Sequence, residues 1–298
     1  MKKPSAKVMA LGFFDGIHIG HGALMERSKA VAESLGAECA VLTFDSHPDT
    51  YVKGTAVELI NSAADRKYVL KRFFDIDNVY FIHFNERTMR MHWKDFIDSV
   101  IESYNAVHFV VGHDFCFGYK GEGKADVLKA YCESIGLGCD IISPVMRDGE
   151  IVSSTLIRNL LSEGETEKAN EYLGHPHILT DTVRSGFQIG GSTLGAPTIN
   201  MIFGEGILVP RFGVYATRTI LPEGEYNSVT NIGVRPTFGG NEVTVETNIF
   251  DFEGYLYGTN VCVEFHSFIR PERKFSSPEE LMAQIQQDCQ SARDYFDK

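Results

Sequence analysis

Two histidines three positions apart, His18 and His21, close the stretch LGFFDGIHIGH (Leu11 to His21), which also holds Asp15, Gly16 and Gly20. An apolar run, KVMAL, leads into it, and an amphipathic pattern, GHGALMERSKAVAESLG, leads out. The pair therefore falls at a strand-to-helix turn. A helix start presents unpaired N–H groups and the positive end of the helix dipole, which suits phosphate. Two imidazoles on one face add donors to a phosphate oxygen, and nucleotidyl transfer needs little beyond positioning and stabilisation of developing charge. A bare H-x-x-H suits a helix cap or half a metal pair equally well, so its company matters. TFDSHP (43–48) and GHDFCFG (112–118) end later apolar runs, and VSSTLIR (152–158) follows another. In an open parallel sheet all these clusters fall at the edge where ligands bind.

A second set of candidates lies in the other half. Gly186 to Asn200 reads GFQIGGSTLGAPTIN, a glycine-rich loop whose backbone N–H groups can approach phosphates closely. Such a loop is more often a simple turn. After Pro197, however, Thr198 and Asn200 offer two hard oxygen donors at alternate positions, which suits Mg²⁺ once phosphates complete its shell. In EVTVETNIFDF, Glu246 has the opposite parity to Val243, Val245, Thr247 and Ile249, so it lies on the other face of a strand. It is either an exposed strand residue or, at a barrel mouth, a general base for a bound alcohol, worth about 10²–10⁴ in rate.

The elements that must carry these residues follow from length and periodicity. A chain of 298 residues fits about two domains of roughly 150 each. A hydrophobic content of 43% is enough for real cores. The net charge of −12 argues against a phosphate-neutralising nucleic-acid surface, but not against a locally positive site for a small anion. The cysteines (Cys39, Cys116, Cys132, Cys139, Cys262, Cys289) form no C-x-x-C pair and read as reduced thiols. The N-terminus lacks a signal-peptide cleavage pattern, and no apolar run reaches the roughly 18 residues of a membrane span. A soluble, cytoplasmic protein with neither membrane nor nucleic-acid partner is expected. No heptad pattern marks an oligomer interface, so oligomeric state stays open.

Up to about residue 172, short apolar runs (KVMALG, ECAVLTF, NVYFIHF, AVHFVVG, CDIIS) alternate with helical periods such as MHWKDFIDSVIESY and KADVLKAYCESIG. That order predicts βαβ units and a doubly wound, Rossmann-like parallel sheet over 1–174. Two further short helices, TLIRNLLSEG and TEKANEYLG, close this half. From 175 to 298 apolar and polar residues alternate between turns, which predicts a small antiparallel β-barrel or sandwich. A closing helix begins at Ser277-Pro278, an N-cap followed by a first-turn proline.

GFFDGIHIGH, TFDSHP, GHDFCFG and SSTLIR together resemble the adenylyltransferase module of the bacterial bifunctional riboflavin kinase/FAD synthetase family. G-x-x-L-G-x-P-T-x-N, NIGVRPTFGG (231–240), VETNIFDFEGYLYG (245–258) and FIRPERKF (268–275) resemble its flavokinase barrel in order and spacing. The similarity runs over essentially residues 5 to 296. It implies an FMN adenylyltransferase domain at 1–174 and a riboflavin kinase domain at 175–298. ATP is the co-substrate of both, Mg²⁺ the cofactor, and riboflavin, FMN and FAD the substrates and products.

By the same resemblance, His18 and His21 bind ATP phosphates and stabilise the transition state. Phe14, Asp15, Gly16, Ser153, Ser154, Thr155 and Arg158 complete that ATP site, and Asp45, Asp114 and Phe115 lie near the flavin or adenine. In the barrel, Gly191, Thr198 and Asn200 meet ATP, with Thr198 and Asn200 holding the metal and Arg235 near the flavin. Glu246 takes the proton of the riboflavin 5′-hydroxyl. Four positions depart from the common pattern: Ser46 replaces a proline, Leu156 and Ser192 replace arginines, and Ala196 replaces an aromatic. The last two predict weaker nucleotide binding by the kinase half. They are also the only support for a competing reading, a flavin- or nucleotide-binding regulator without turnover. A third reading, an adenylyltransferase for another small phosphorylated substrate, has the P-T-x-N and V-E-T segments against it.

Overall fold

The computed structural model describes residues 5–48, 50, 54, 57–184, 198–237 and 240–298, apart from the side chains of 235–237 and 240–242. They fall into two compact units, Met1–Ser154 and Thr155–Lys298.

The first unit is a sheet of five parallel strands, β1 (Lys7–Leu11), β2 (Glu38–Phe44), β3 (Asn78–Ile82), β4 (Ala106–Gly112) and β5 (Gly138–Ile142), in the order β3-β2-β1-β4-β5. The central strand β1 is buried along its whole length, which is why its sequence is a continuous apolar run rather than an alternating one. Helices α1 (Ile19–Leu35), α2 (Ala63–Phe74), α3 (Trp93–Tyr104) and α4 (Ala125–Ser134) connect the strands. On one side of the sheet Met9, Leu11, Ala40, Leu42, Phe109 and Val111 pack against Phe96, Ile97 and Val100 of α3 and Leu128 and Cys132 of α4. Strand order reverses between β1 and β4, so the crevice of a doubly wound sheet opens where β1 hands over to α1.

Sequence periodicity passes over α2, whose mixed apolar and charged residues carry only a weak stripe. Its start is nevertheless written locally. Ser62 accepts the N–H of Asp65, and the Asp65 carboxylate accepts the N–H of Ser62, a reciprocal capping box. A short hairpin, Met146–Arg147 with Glu150–Ile151, turns at Asp148 and Gly149, both at positive φ, and separates β5 from the SSTLIR segment.

The second unit begins with α5 (Ser154–Glu163, from Thr155 on) and α6 (Thr166–Leu173). Six strands follow: β6 (His177–Thr182), β7 (Thr198–Met201), β8 (Gly213–Leu221), β9 (Gly224–Thr237), β10 (Gly240–Ile249) and β11 (Asn260–Pro271). They form an antiparallel sheet in the order β6-β11-β8-β9-β10-β7, curled into a half-barrel. The N–H of Arg184, just past β6, donates to the Asn200 carbonyl at 3.0 Å and links the two outer strands. The inner face carries Tyr215, Ile232, Val245, Ile249, Val263 and Phe265. A chain of wholly buried hydroxyls shares it, Thr219–Ser228–Thr217–Thr230–Thr247, each link 2.8–2.9 Å. These hydroxyls satisfy one another, so their burial carries little penalty.

On the opposite face Val214, Ala216 and Val229 pack against Ala292 of the closing helix α7 (Pro278–Phe296). The N-cap of α7 is Ser277, whose hydroxyl accepts the N–H of Glu280, as Ser277-Pro278 predicts. Arg270 of β11 pairs bidentately with the buried Asp288 of α7 at 2.8 and 2.6 Å, which fixes the helix to the sheet. Asn170 of α6 ties β6 to β11 through its side chain, accepting the N–H of His177 and donating to the Phe265 carbonyl.

Candidate active sites

The turn between β1 and α1 is held in backbone conformations that side chains rarely adopt. Phe14 (φ 57°), Gly16 (φ 78°) and Ile17 (φ 43°) are all left-handed, and for a β-branched residue such as Ile17 that is a strained position. The strain turns the chain sharply enough for His18 to cap α1. Its Nδ1 accepts the N–H of His21 at 3.3 Å. An accepting Nδ1 leaves the proton of the neutral ring on Nε2. His18 and His21 stack at 3.7 Å between ring centroids and 16° between planes, and Phe14 meets His21 in a T-shaped contact with centroids 5.2 Å apart. Part of the His21 residue meets solvent, but its Nδ1 is shut away. Burial, and then the neighbouring His18, hold the His21 pKa well below the usual imidazole value. Gly20 makes room for this stack, because a Cβ there would stand 3.0 Å from the His18 ring.

Three other sequence boxes meet this turn or its strand edge. Asp15 is buried, and its Oδ1 accepts the N–H groups of Ile60 and Asn61 at 2.9 and 3.3 Å. The hydroxyl of Ser154 donates to the Asp15 carbonyl at 2.9 Å, joining residues 139 apart in sequence. Asp45, at the end of β2, binds His83 Nδ1 at 2.6 Å and accepts from the Phe84 N–H and the Ser46 hydroxyl. Burial pushes its carboxyl up, but these hydrogen bonds outweigh burial and hold it below the usual range. Asp114, after β4, is exposed, with Phe115 and Phe117 stacked beside it at 5.1 Å. Ser153 and Ser154 are the last residues of the first unit, whereas Thr155 and Arg158 belong to α5 in the second unit, 3.5 Å apart at Oγ1 and Nη1. His83 and Asn61 carry no mark in the sequence, and within TFDSHP nothing singles out Thr43. No periodicity marks them, because each is recruited by a contact between distant segments.

In the second unit the site is a row on a regular ladder. Glu246 of β10 pairs with Asn200 of β7 on one side and with Asn231 of β9 on the other, and Thr198 pairs with Asn248. Directly paired residues share a face. Thr198, Asn200, Glu246, Asn248 and Asn231 therefore form one polar group on the face opposite Val245, Thr247 and Ile249. Thr198, Asn200, Glu246 and Asn231 are half-buried and Asn248 is buried. Asn248, two residues on from Glu246, shares its parity and so is legible in the sequence. Asn231 needs the cross-strand register. Arg235 pairs through its backbone with Glu242; its side chain, and Gly191, Ser192 and Ala196, lie outside the described residues.

Residues 1–156 match the family model described as FAD synthetase, and residues 173–296 the one described as riboflavin kinase. Relatives named bifunctional riboflavin kinase/FMN adenylyltransferase match nearly end to end. That of Bacillus subtilis is 36% identical, covering 99% of this chain and 95% of its own. That of Listeria monocytogenes is 34% identical, covering 98% and 93%. The chain belongs to the bifunctional riboflavin kinase/FMN adenylyltransferase family. A crystal structure of a Streptococcus pneumoniae protein described as a macrolide-efflux protein also shares the fold. It has a TM-score of 0.83 at 30% identity and covers 98% of this chain and 95% of its own. Among the described residues of this family member, no helix is long and apolar enough to cross a membrane. The strained turn lies in the FAD synthetase half and the polar strand row in the riboflavin kinase half.

Proposed function

We propose that the chain makes FAD from riboflavin in two ATP-consuming steps at two separate sites. The polar row of β7, β9 and β10 is the kinase site. There the 5′-hydroxyl of riboflavin attacks the γ-phosphorus of ATP, Glu246 takes the hydroxyl proton, and ADP leaves with the electron pair of the broken P–O bond. The observation that carries this reading is the cross-strand register, which sets Glu246 directly opposite Asn200 and one same-face position along from Thr198. Thr198 and Asn200 suit Mg²⁺, because neutral hydroxyl and amide oxygens leave charge balance to the phosphates. When bound, the ion neutralises phosphate charge.

The β1–α1 turn is the adenylylation site. A phosphate oxygen of FMN attacks the α-phosphorus of ATP, and pyrophosphate leaves. His18 donates from Nε2 to a phosphate oxygen, and the N-terminal N–H groups of α1 add to the same field. His21, kept neutral at pH 7 by burial and by its neighbour, acts as a polar donor rather than a fixed cation. Ser153 and Ser154 bind the triphosphate, and Asp114 and Phe115 meet the flavin. Phe14, Asp15, Gly16 and Asp45 shape the pocket. The work is done in the cytoplasm, where ATP and Mg²⁺ are supplied.

The test is direct. Pure protein is incubated with riboflavin, ATP and Mg²⁺, and the flavins are separated. FMN followed by FAD is expected, and absence of both overturns the reading. FMN supplied without riboflavin should yield FAD and pyrophosphate alone.

A further inference from the structure

Arg66, in the first turn of α2, is an arginine with no exposed surface. The hydrogen bonds of its terminal nitrogens go to the two segments that carry the N-terminal site. Nη1 donates to the Phe13 carbonyl at 2.8 Å and to Thr43 Oγ1 at 2.9 Å. Nη2 donates to the Phe44 carbonyl at 2.9 Å. The Thr43 hydroxyl closes the circuit by donating to the same Phe13 carbonyl at 2.7 Å. Phe13 precedes the left-handed residues of the histidine turn, and Phe44 precedes Asp45. The guanidinium also lies 4.8 Å from the Phe13 ring centroid and 5.2 Å from that of Phe81.

We propose that Arg66 is a positioning residue for adenylyl transfer, its guanidinium tying the histidine turn to the Asp45 loop. Burying a cation this deeply is costly unless its donors are used and charges oppose it; both terminal nitrogens are used, while Nε is buried without a partner. Burial lowers the Arg66 pKa and Asp15, Asp45 and Asp65 oppose it, leaving it at about 10, so the group stays charged at neutral pH. A cation meant only to stabilise the fold has no need to bond the carbonyl that leads into a strained turn. That carbonyl fixes the point from which Phe14, Gly16 and Ile17 swing His18 over α1. The fork is also the right tool: its planar donors reach three acceptors at once, which a lysine ammonium on a shorter stem cannot do in the same geometry.

The inference rests on reading this turn as the adenylylation site. Loss of about 1 Å in the placement of a reacting group costs on the order of 10²-fold in rate. In Arg66→Lys, kcat for FMN-to-FAD conversion should therefore fall on the order of 10²-fold, and saturating ATP and FMN should not restore it. The lone tryptophan, Trp93, sits in the same unit beside Phe117. Its fluorescence in a urea titration establishes that the variant is folded under assay conditions, so the loss cannot come from unfolded molecules. Thr43→Val removes the hydroxyl shared by Arg66 and Phe13, and should lower the same kcat by a smaller factor, with Thr43→Ser restoring it. The double variant Arg66→Lys/Thr43→Val should lose less than the product of the single losses, because both act through one circuit.

A folded Arg66→Lys with wild-type kcat overturns the proposal, as does multiplicative loss in the double variant. Should Arg66→Lys fail to fold, the Thr43→Val and Thr43→Ser pair decides between the outcomes: wild-type kcat in Thr43→Val then overturns the proposal. Wild-type protein that makes no FAD from FMN would overturn the reading of the turn itself, an outcome distinct from either.

Discussion

In the N-terminal unit the candidate catalytic side chains stand on a turn strained at Phe14, Gly16 and Ile17. In the C-terminal unit they stand on strands whose pairing is unbroken through Asn200, Glu246 and Asn231. The first arrangement persists because distant residues over-determine it: Ile60 and Asn61 on Asp15, Ser154 on the Asp15 carbonyl, Arg66 on Phe13. The second persists because ladder hydrogen bonds hold each strand residue opposite its partner. Strain at a site must be sustained by its surroundings, whereas a ladder sustains itself. Changes far from the histidines should therefore reach the first chemistry, while the second should respond mainly to residues in its own row.

The largest effect expected tests whether the two sites are separate. Glu246→Gln should cut FMN formation from riboflavin by about 10²–10⁴, while leaving FMN-to-FAD conversion intact. If a folded variant lost both steps, the contrast between the regions would collapse. His18→Ala should act in reverse, lowering FAD formation by about 10²–10³ so that FMN accumulates in a riboflavin assay.

Gly20→Ala sharpens the contrast further. Alanine is the better helix former, by about 1 kcal/mol in a helix interior, but its Cβ would press on the His18 ring at 3.0 Å. Thermal stability should hold or rise while FAD formation falls about tenfold, less than a full 1 Å displacement costs.

The smallest effect concerns two buried imidazoles that differ in purpose. His21 belongs to a site, whereas His177, at the start of β6, is packed 5.5 Å from the Phe265 ring with neither ring nitrogen hydrogen-bonded. Burial, with His175 adding to it, brings the His177 pKa down to about 3. In the unfolded chain the same group titrates near 6.5. Above that pH neither state is protonated and the barrel keeps its full stability. As pH falls from about 6.5 toward about 3 only the unfolded chain gains the proton, so stability is lost at up to about 1.4 kcal/mol per pH unit. His177→Phe should flatten that acid limb in denaturant titrations of the C-terminal unit and leave both activities unchanged at neutral pH. An unaltered limb would show that other groups control acid unfolding.

Much of this architecture is legible in the chain before any folding is considered. The five apolar runs form the five parallel strands, and the change from helical to alternating periodicity marks the half-barrel with its capped closing helix. Parity alone places Glu246 on the face opposite Val245 and Thr247, because strand side chains alternate strictly. What escapes is whatever depends on segments far apart in sequence. Helix α2 leaves no clear stripe, although its capping box is plain once Ser62 and Asp65 are seen together. Asp15 reads as a ligand-facing acid, yet its Oδ1 takes two buried N–H groups. Asp45 likewise has a partner, His83, that no local pattern announces.

A parallel α/β half followed by an antiparallel half is already written in the order of residues. So are the motifs that sit at strand ends and the residues that share a strand face. Those properties follow from local periodicity and turn chemistry, which act over a few residues. The stacking of His18 and His21, the bond from Ser154 to the Asp15 carbonyl, the place of Asn231 beside Glu246 and the grip of Arg66 on the carbonyl before the histidine turn arise from the folded chain alone. Such contacts depend on how separate segments are brought together in space, and no local pattern in the chain encodes that distance.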